Sequence, residues 1–271
     1  MHSARIAFIG GGNMARSLIG GLLRQGHDPR ALAVSEPMDA LRQALVDDFG
    51  IDAHVDNAAA AGGAAIWVLA VKPQVLPRVL QALRSIADAQ APLVVSIAAG
   101  YPIARMQAEL GPRARIVRTM PNTPALIGAG VTGLCAGAGV DAADRAAAES
   151  LLAAAGATVW LDQEAQMDVV TALSGSGPAY FFLLMESLIA AGVAQGLAPD
   201  VAAKLVLHTA LGAARMACEG SEPPELLRAR VTSPGGTTAA ALASFEAAGF
   251  RTHCAEAVAA AVRRGRELAQ S

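Results

Sequence analysis

The sequence predicts an α/β Rossmann-type N-terminal domain with a mostly parallel sheet, followed by an all-α C-terminal domain. Three observations lead there. A short apolar run near the start ends in glycines and opens into a helical pattern. Strand-like and helix-like stretches then alternate. Strand signals stop near Asp162, and only helical periodicity continues beyond it. The expected boundary is therefore 162/163, with residues 1–162 forming the sheet domain and residues 163–271 an all-helical domain.

The first strand is Arg5-Ile6-Ala7-Phe8-Ile9-Gly10, followed by a helix over Met14–Arg24. Ala31–Ser35 reads as a second strand and Met38–Asp48 as a second helix. Ile66–Val71 is apolar throughout, as a strand covered on both faces must be. Pro73 is placed to start a helix over Gln74–Ile86, because proline lacks only an N–H that a helix start leaves unpaired anyway. Leu93–Ile97 is another buried strand, and Arg115–Arg118 a further candidate. In the second half, helical periodicity covers Glu164–Ala172, Gly177–Gln195, Pro199–Glu219, Pro224–Ala229, Ala239–Ala248 and His253–Leu268. Breaks are expected at Ser174-Gly175, Gly196, Pro223-Pro224 and the loop around Ser233.

Bulk properties narrow the function. The 271 residues carry a net charge of −2, and only 16% of them are charged. There is no basic stripe with interleaved aromatics, so nucleic acid is not an expected partner. Mean hydropathy is high, at +0.41, but alanine and glycine supply much of it. The most apolar stretch, Phe181–Ala198, contains Glu186, Gln195 and two glycines, and reads as a core or interface helix rather than a membrane span. Alanine-rich faces that so small a helical unit cannot bury point to self-association. Cys135, Cys218 and Cys254 form no zinc or CxxC spacing, so no metal site is expected. Reduced thiols in a cytoplasmic protein are the simplest account. The N-terminus lacks the pattern of a signal peptide.

Gly10-Gly11-Gly12-Asn13-Met14-Ala15 fits the dinucleotide fingerprint in its required setting, after a strand and opening a helix. Gly10 makes the tight turn, Gly12 lets the backbone approach a pyrophosphate, and Ala15 permits close helix–sheet packing. At the end of the second strand stand Ser35, Glu36 and Pro37. An acid there holds the ribose 2′-OH of NAD and repels a 2′-phosphate, yet Glu36 could sit past the strand end and face solvent. Ser35 could bind either a ribose hydroxyl or a phosphate oxygen, Arg42 could approach from the helix, and the choice between NAD and NADP stays open. Ala70-Val71-Lys72-Pro73 lies at the carboxyl end of a strand, where open α/β sheets bind ligands. Lys72, one of two lysines in the chain, could reach the cofactor. Ser96–Gly100 ends the next strand in small residues that leave room for a nicotinamide, and Met120–Pro124 is expected to help line the cleft.

The second half holds Val231-Thr232-Ser233-Pro234-Gly235-Gly236-Thr237-Thr238, a polar glycine-rich loop where a helix begins. Unpaired N–H groups and the helix dipole favour an anion there, such as a carboxylate. Alternatively the loop is a plain linker with a threonine cap.

Taken with Phe8–Ala15, Ala70–Pro73, Arg118–Pro124 and Leu173-Ser174-Gly175-Ser176-Gly177-Pro178-Ala179-Tyr180, this loop makes the chain resemble the pyrroline-5-carboxylate reductase family. The five blocks occur in family order over nearly the whole length. The resemblance implies reduction of 1-pyrroline-5-carboxylate to L-proline, with NADPH as the usual reductant and NADH possible. It also implies dimers, often five of them in a decamer. By resemblance, the loop Ser233–Thr238 binds the substrate carboxylate, Thr238 lies near the ring nitrogen, and Glu164 faces the substrate. Ser35 and Asn57 lie near the adenosine ribose. Arg230 departs from relatives that carry an amide just before the loop.

For a cyclic imine bearing a carboxylate, a protonated substrate needs no strong general acid. This agrees with the scattered His2, His27, His54, His208 and His253. Ser233 and the amides of Gly235, Gly236 and Thr237 would hold the carboxylate. The Thr238 hydroxyl would bond the nitrogen, Ser176 would add a donor, and Glu164 could favour the iminium by charge. A 3-hydroxyacid dehydrogenase is the rival enzyme, with Lys204 as its one candidate proton donor. A dinucleotide-sensing protein without turnover is the non-enzymatic rival.

Overall fold

The computed structural model describes residues 4–270. Its first unit is built on a sheet of eight strands: β1 (Ile6–Ile9), β2 (Leu32–Ser35), β3 (Asp52–His54), β4 (Ile66–Leu69), β5 (Leu93–Ser96), β6 (Arg115–Met120), β7 (Gly130–Ala136) and β8 (Gly156–Leu161). The strand order is β3-β2-β1-β4-β5-β6-β7-β8, and all pairs are parallel except β6–β7. The order reverses between β1 and β4, so the loops after these two strands flank the crevice where such sheets bind ligands.

The helices of this unit are α1 (Asn13–Arg24), α2 (Asp39–Phe49), α3 (Asn57–Ala61), α4 (Leu76–Gln90), α5 (Ile103–Leu110) and α6 (Ala142–Ala153). Each sheet face has its own apolar core. Phe8, Val34, Val68, Val95 and Val117 pack with Leu18, Ile19 and Leu22 of α1 on one face. Ile9, Trp67, Leu69, Val94 and Ile116 pack with Leu76, Leu80, Leu83 and Met106 on the other. Every second residue of a central strand thus faces an opposite layer, so these strands are apolar throughout. Each large side chain buried in this way contributes about 1.5–3 kcal/mol. Trp67 is fully buried, and its indole N–H donates to the Ala61 carbonyl at 3.2 Å.

The five strands expected from sequence all form. β3, β7 and β8 were not anticipated, nor were α3, α5 and α6. Two of those helices carry legible starts: Asp56 accepts from the amides of Ala58 and Ala59, and Asp141 and Asp144 form a reciprocal capping box on α6. Pro73 does not start α4. It sits in a turn in which the Val75 amide donates to Lys72, and the helix begins at Leu76 with Pro77 in its first turn.

Beyond the sheet, Glu164–Gln166 forms a 3-10 turn, α7 spans Met167–Val170, and α8 spans Gly177–Ala194. The expected break at Ser174-Gly175 is instead a π-helical turn over Thr171–Gly175, in which the Ser176 amide reaches the Thr171 carbonyl at 2.8 Å. The ladder absorbs an extra residue rather than stopping. Gly175 allows this where it lies, since a Cβ there would come within 2.7 Å of Met120 Cε. The remaining helices are α9 (Pro199–Glu219), α10 (Pro224–Arg230), α11 (Thr237–Ala247) and α12 (Phe250–Gln270), close to the sequence reading.

Compact packing divides the chain into Met1–Ser176 with Ala261–Ser271, and Gly177–Ala260. The sequence boundary at 162/163 marks where strands end, while compactness divides at 176/177. The intervening turns pack on the sheet: Met167 is buried in the second core, and Val170 fills the space above Gly133. In the second unit, Phe181, Phe182, Leu183, Leu205, Leu211 and Met216 are exposed. The stretch around Phe181 is therefore not a core helix within one chain. The helical run Glu164–Ala194 and α9 are each long and apolar enough, by length and composition, to cross a membrane.

Candidate active site

The dinucleotide loop has the geometry its glycines predict. Gly10 adopts φ +103°, and a Cβ there would meet the Ala70 carbonyl oxygen at 2.8 Å and Val71 Cγ1 at 3.0 Å. This close approach brings Gly10, Ala70 and Val71 together at the reversal of strand order. Gly12 is the N-cap of α1, and no side chain caps the helix. The space a Gly12 Cβ would enter is open. The first-turn amides of Asn13, Met14 and Ala15 therefore remain free beside an open cradle, the arrangement that receives a phosphate. These residues fit a dinucleotide. Lys72 is exposed and Pro73 half-buried at the same end of the sheet.

Ser35 and Asn57 also come together, the buried Ser35 hydroxyl donating to Asn57 Oδ1 at 2.7 Å. Glu36 does not face solvent. It is 8% exposed, and its carboxylate accepts from the Gly11 amide at 3.2 Å and the Met38 amide at 3.0 Å. The Gly11 amide is thus engaged within the protein, which leaves phosphate contacts to the amides that follow it.

A cavity of about 510 Å³ opens past the ends of β4 and β5, lined by Pro73, Ala99, Gly100, Tyr101, Asp168 and Thr171 among others. Ala99 and Gly100 are the small residues expected beside the nicotinamide. The Tyr101 hydroxyl lies 2.6 Å from both oxygens of Glu109. Burial, and then this hydrogen bond to a carboxylate, hold its pKa well above the usual phenol range.

Glu164 joins a polar network in the first unit. Its Oε1 accepts from Arg118 Nη1 and from the Ile103 amide, both at 2.8 Å. Arg118 rises from β6 with only 8% of its side chain exposed, and Ile103 is the first residue of α5. The carboxylate therefore pairs a buried guanidinium and satisfies a helix start in one step. Sequence reasoning missed this partner. Its signal was the single arginine in the interior of an otherwise uncharged strand segment, Ile116–Met120, since a buried cation demands an acid.

In the second unit, Gly235 takes φ +72° and Gly236 caps α11 without a side-chain bond. Among the described residues, the hydroxyls of Ser233, Thr237 and Thr238 make no hydrogen bond within the protein, whereas Thr232 donates to the Arg228 carbonyl at 2.6 Å. The Gly236 amide closes the turn onto the Ser233 carbonyl at 3.0 Å. The amides left free are those of Gly235, Thr237 and Thr238. Arg230 pairs with Glu222 just before this loop. Ser174 bonds its own helix through the Val170 carbonyl, while the Ser176 hydroxyl is without a partner among the described residues. Lys204 is exposed on α9 with no hydrogen-bonded or ionic partner among the described residues.

Residues 164–268 match the family model for pyrroline-5-carboxylate reductase dimerisation, and residues 5–100 match that for NADP oxidoreductase, coenzyme F420-dependent. The chain is 51% identical over 272 residues to a pyrroline-5-carboxylate reductase of Pseudomonas aeruginosa, covering 100% of this chain and 98% of that protein. A solved pyrroline-5-carboxylate reductase from Coxiella burnetii superimposes with a TM-score of 0.95 at 42% identity, covering 98% of each chain. A solved pyrroline carboxylate reductase from Plasmodium falciparum, with NADP bound, gives 0.85 at 30% identity, covering 99% of each. The chain belongs to the pyrroline-5-carboxylate reductase family.

Proposed function

We propose that this protein reduces 1-pyrroline-5-carboxylate to L-proline with a nicotinamide dinucleotide, NADPH or NADH, as the last step of proline biosynthesis. The observation that carries the reading is the Ser233–Thr238 loop. It presents unengaged hydroxyls and free amides at the start of α11, and nothing in its own unit uses them.

The cofactor would lie over Gly10–Met14, with Ser35 and Asn57 toward the adenosine ribose and Ala70–Pro73 beside it. When bound, its reduced nicotinamide supplies the hydride that adds to the imine carbon. Ser233 and the amides of Gly235, Thr237 and Thr238 hold the substrate carboxylate, and the charge of that anion suits a helix start. The Thr238 hydroxyl bonds the ring nitrogen, which takes up the electron pair of the C=N bond and keeps a proton as the amine forms. Ser176 adds a donor. Glu164, tied to Arg118 and the Ile103 amide, anchors the wall rather than supplying a proton. Orientation and electrostatics supply the rate.

The exposed apolar residues of α8 and α9 are covered by a second copy of the chain, giving a dimer. A decamer rests on family resemblance alone. The protein works in the cytoplasm with its cysteines reduced, and neither a membrane nor nucleic acid is among its partners.

The test is oxidation of NADPH and of NADH in the presence of 1-pyrroline-5-carboxylate. Thr238→Ala is expected to lower kcat/KM roughly 10-fold or more while sparing cofactor binding, as loss of a charge-assisted hydrogen bond does. Unchanged kinetics remove Thr238 from the mechanism. Turnover of a 3-hydroxyacid in place of the imine would replace the reading altogether.

A further inference from the structure

The edge of the sheet that receives the adenosine ribose is acidic and closed to added negative charge. Glu36 ends β2 with its carboxylate folded back over the glycine turn, bonded to the amides of Gly11 and Met38. A carboxylate accepts about four hydrogen bonds, so lone pairs remain for a ribose hydroxyl beside the Ser35–Asn57 pair. A 2′-phosphate would need a free cation instead. The nearest, Arg42, donates to the Glu36 carbonyl at 2.9 Å and is ion-paired with Asp39. Arg5 and His54 both lie against Asp52, at 3.1 and 3.0 Å. Asp56 adds a further acid as the cap of α3. Among the described residues, Arg42 and Arg5 each already have an anion, and Glu36 adds a negative charge with no cation paired to it.

We propose that Glu36 is the specificity-determining residue of the cofactor site and that this enzyme binds NADH in preference to NADPH. The inference rests on the dinucleotide-reductase reading but not on the identity of the imine. Glu36 accepts the ribose 2′-OH and repels a 2′-phosphate. Arg42, held by Asp39, does not offset that repulsion.

The experiment measures binding of NADH and NADPH to the full chain by calorimetry, alongside kcat/KM for each. Wild type is expected to bind NADH at least ~10-fold more tightly. Glu36→Gln keeps an acceptor for the Gly11 amide but removes the charge, and should shift the binding ratio toward NADPH by ~10-fold or more. Glu36→Asp should retain the NADH preference, and Asp39→Asn should improve NADPH binding by freeing Arg42 while leaving NADH binding unchanged. Equal or tighter binding of NADPH to wild type overturns the proposal, as does an unmoved ratio in a folded Glu36→Gln protein. If that variant does not fold, the wild-type ratio and Asp39→Asn decide. Failure of the proposed function looks different: selective NADH binding persists, but neither cofactor reduces the imine.

Discussion

Replacing Glu164 separates anchoring from chemistry. Its Oε1 accepts two hydrogen bonds of 2.8 Å, one from the Arg118 guanidinium and one from the Ile103 amide. Bonds to charged groups are worth about 1.5–3 kcal/mol each. The pair is unevenly buried, 8% of the Arg118 side chain and 30% of the Glu164 side chain being exposed, so water recovers part of that loss at Glu164 and little at Arg118. Stripping one partner from a buried pair costs about 3–5 kcal/mol, and partial exposure places Glu164→Ala at the lower end, about 3 kcal/mol. For a unit of this size each kcal/mol moves Tm by about 2–4 °C, so the expected drop is about 6–12 °C. Glu164→Gln keeps a neutral acceptor and should lose roughly half as much. Joint replacement by Arg118→Met and Glu164→Leu leaves no stranded charge and should return to within ~1 kcal/mol of wild type. Tryptophan fluorescence suits the assay, because both tryptophans, Trp67 and Trp160, lie on strands of the sheet unit. Measured per folded molecule, kcat should fall less than 10-fold. A Glu164→Ala protein with Tm within ~2 °C of wild type and kcat down 100-fold would refute the anchoring argument and return the carboxylate to the reaction.

Two further expectations concern the sheet unit. Gly10→Ala combines φ +103° with a Cβ 2.8 Å from a backbone oxygen, so the turn must shift; NADH and NADPH binding should both weaken about 10-fold or more, while a proline-like carboxylic acid still binds the Ser233–Thr238 loop. Burial, and then the nearby Glu164 charge, raise the pKa of the Cys135 thiol. Little thiolate therefore forms at pH 8, and labelling of Cys135 should lag until the pH rises above the ordinary thiol range or the chain unfolds; rapid labelling of native protein at pH 8 would contradict this.

Local chemistry made much of this protein legible. Apolar runs gave the central strands because a doubly covered sheet leaves no polar face, and the glycine fingerprint placed the dinucleotide turn because only glycine accepts the φ of Gly10 and the closeness of Ala70. β8 escaped notice because it is partly exposed and carries a mixed pattern, and β7 because it joins the sheet antiparallel, outside the βαβ rhythm that revealed the others. The polar loop before α11 was also readable as a turn, since Gly235 takes φ +72° and the Gly236 amide closes onto the Ser233 carbonyl.

Tertiary structure decided what depends on partners distant in sequence. It brought Arg118 to Glu164 across 46 residues and so gave that carboxylate a buried cationic partner. It folded Glu36 inward onto Gly11 across 25 residues, converting an acid of ambiguous direction into a buried acceptor for the glycine turn. Sequence determined where strands, turns and free amides would form, because those follow from short-range sterics and hydrogen bonding. Only the folded chain determined which charges meet, because an ion pair is set by distance in space and by the burial that makes a partner obligatory.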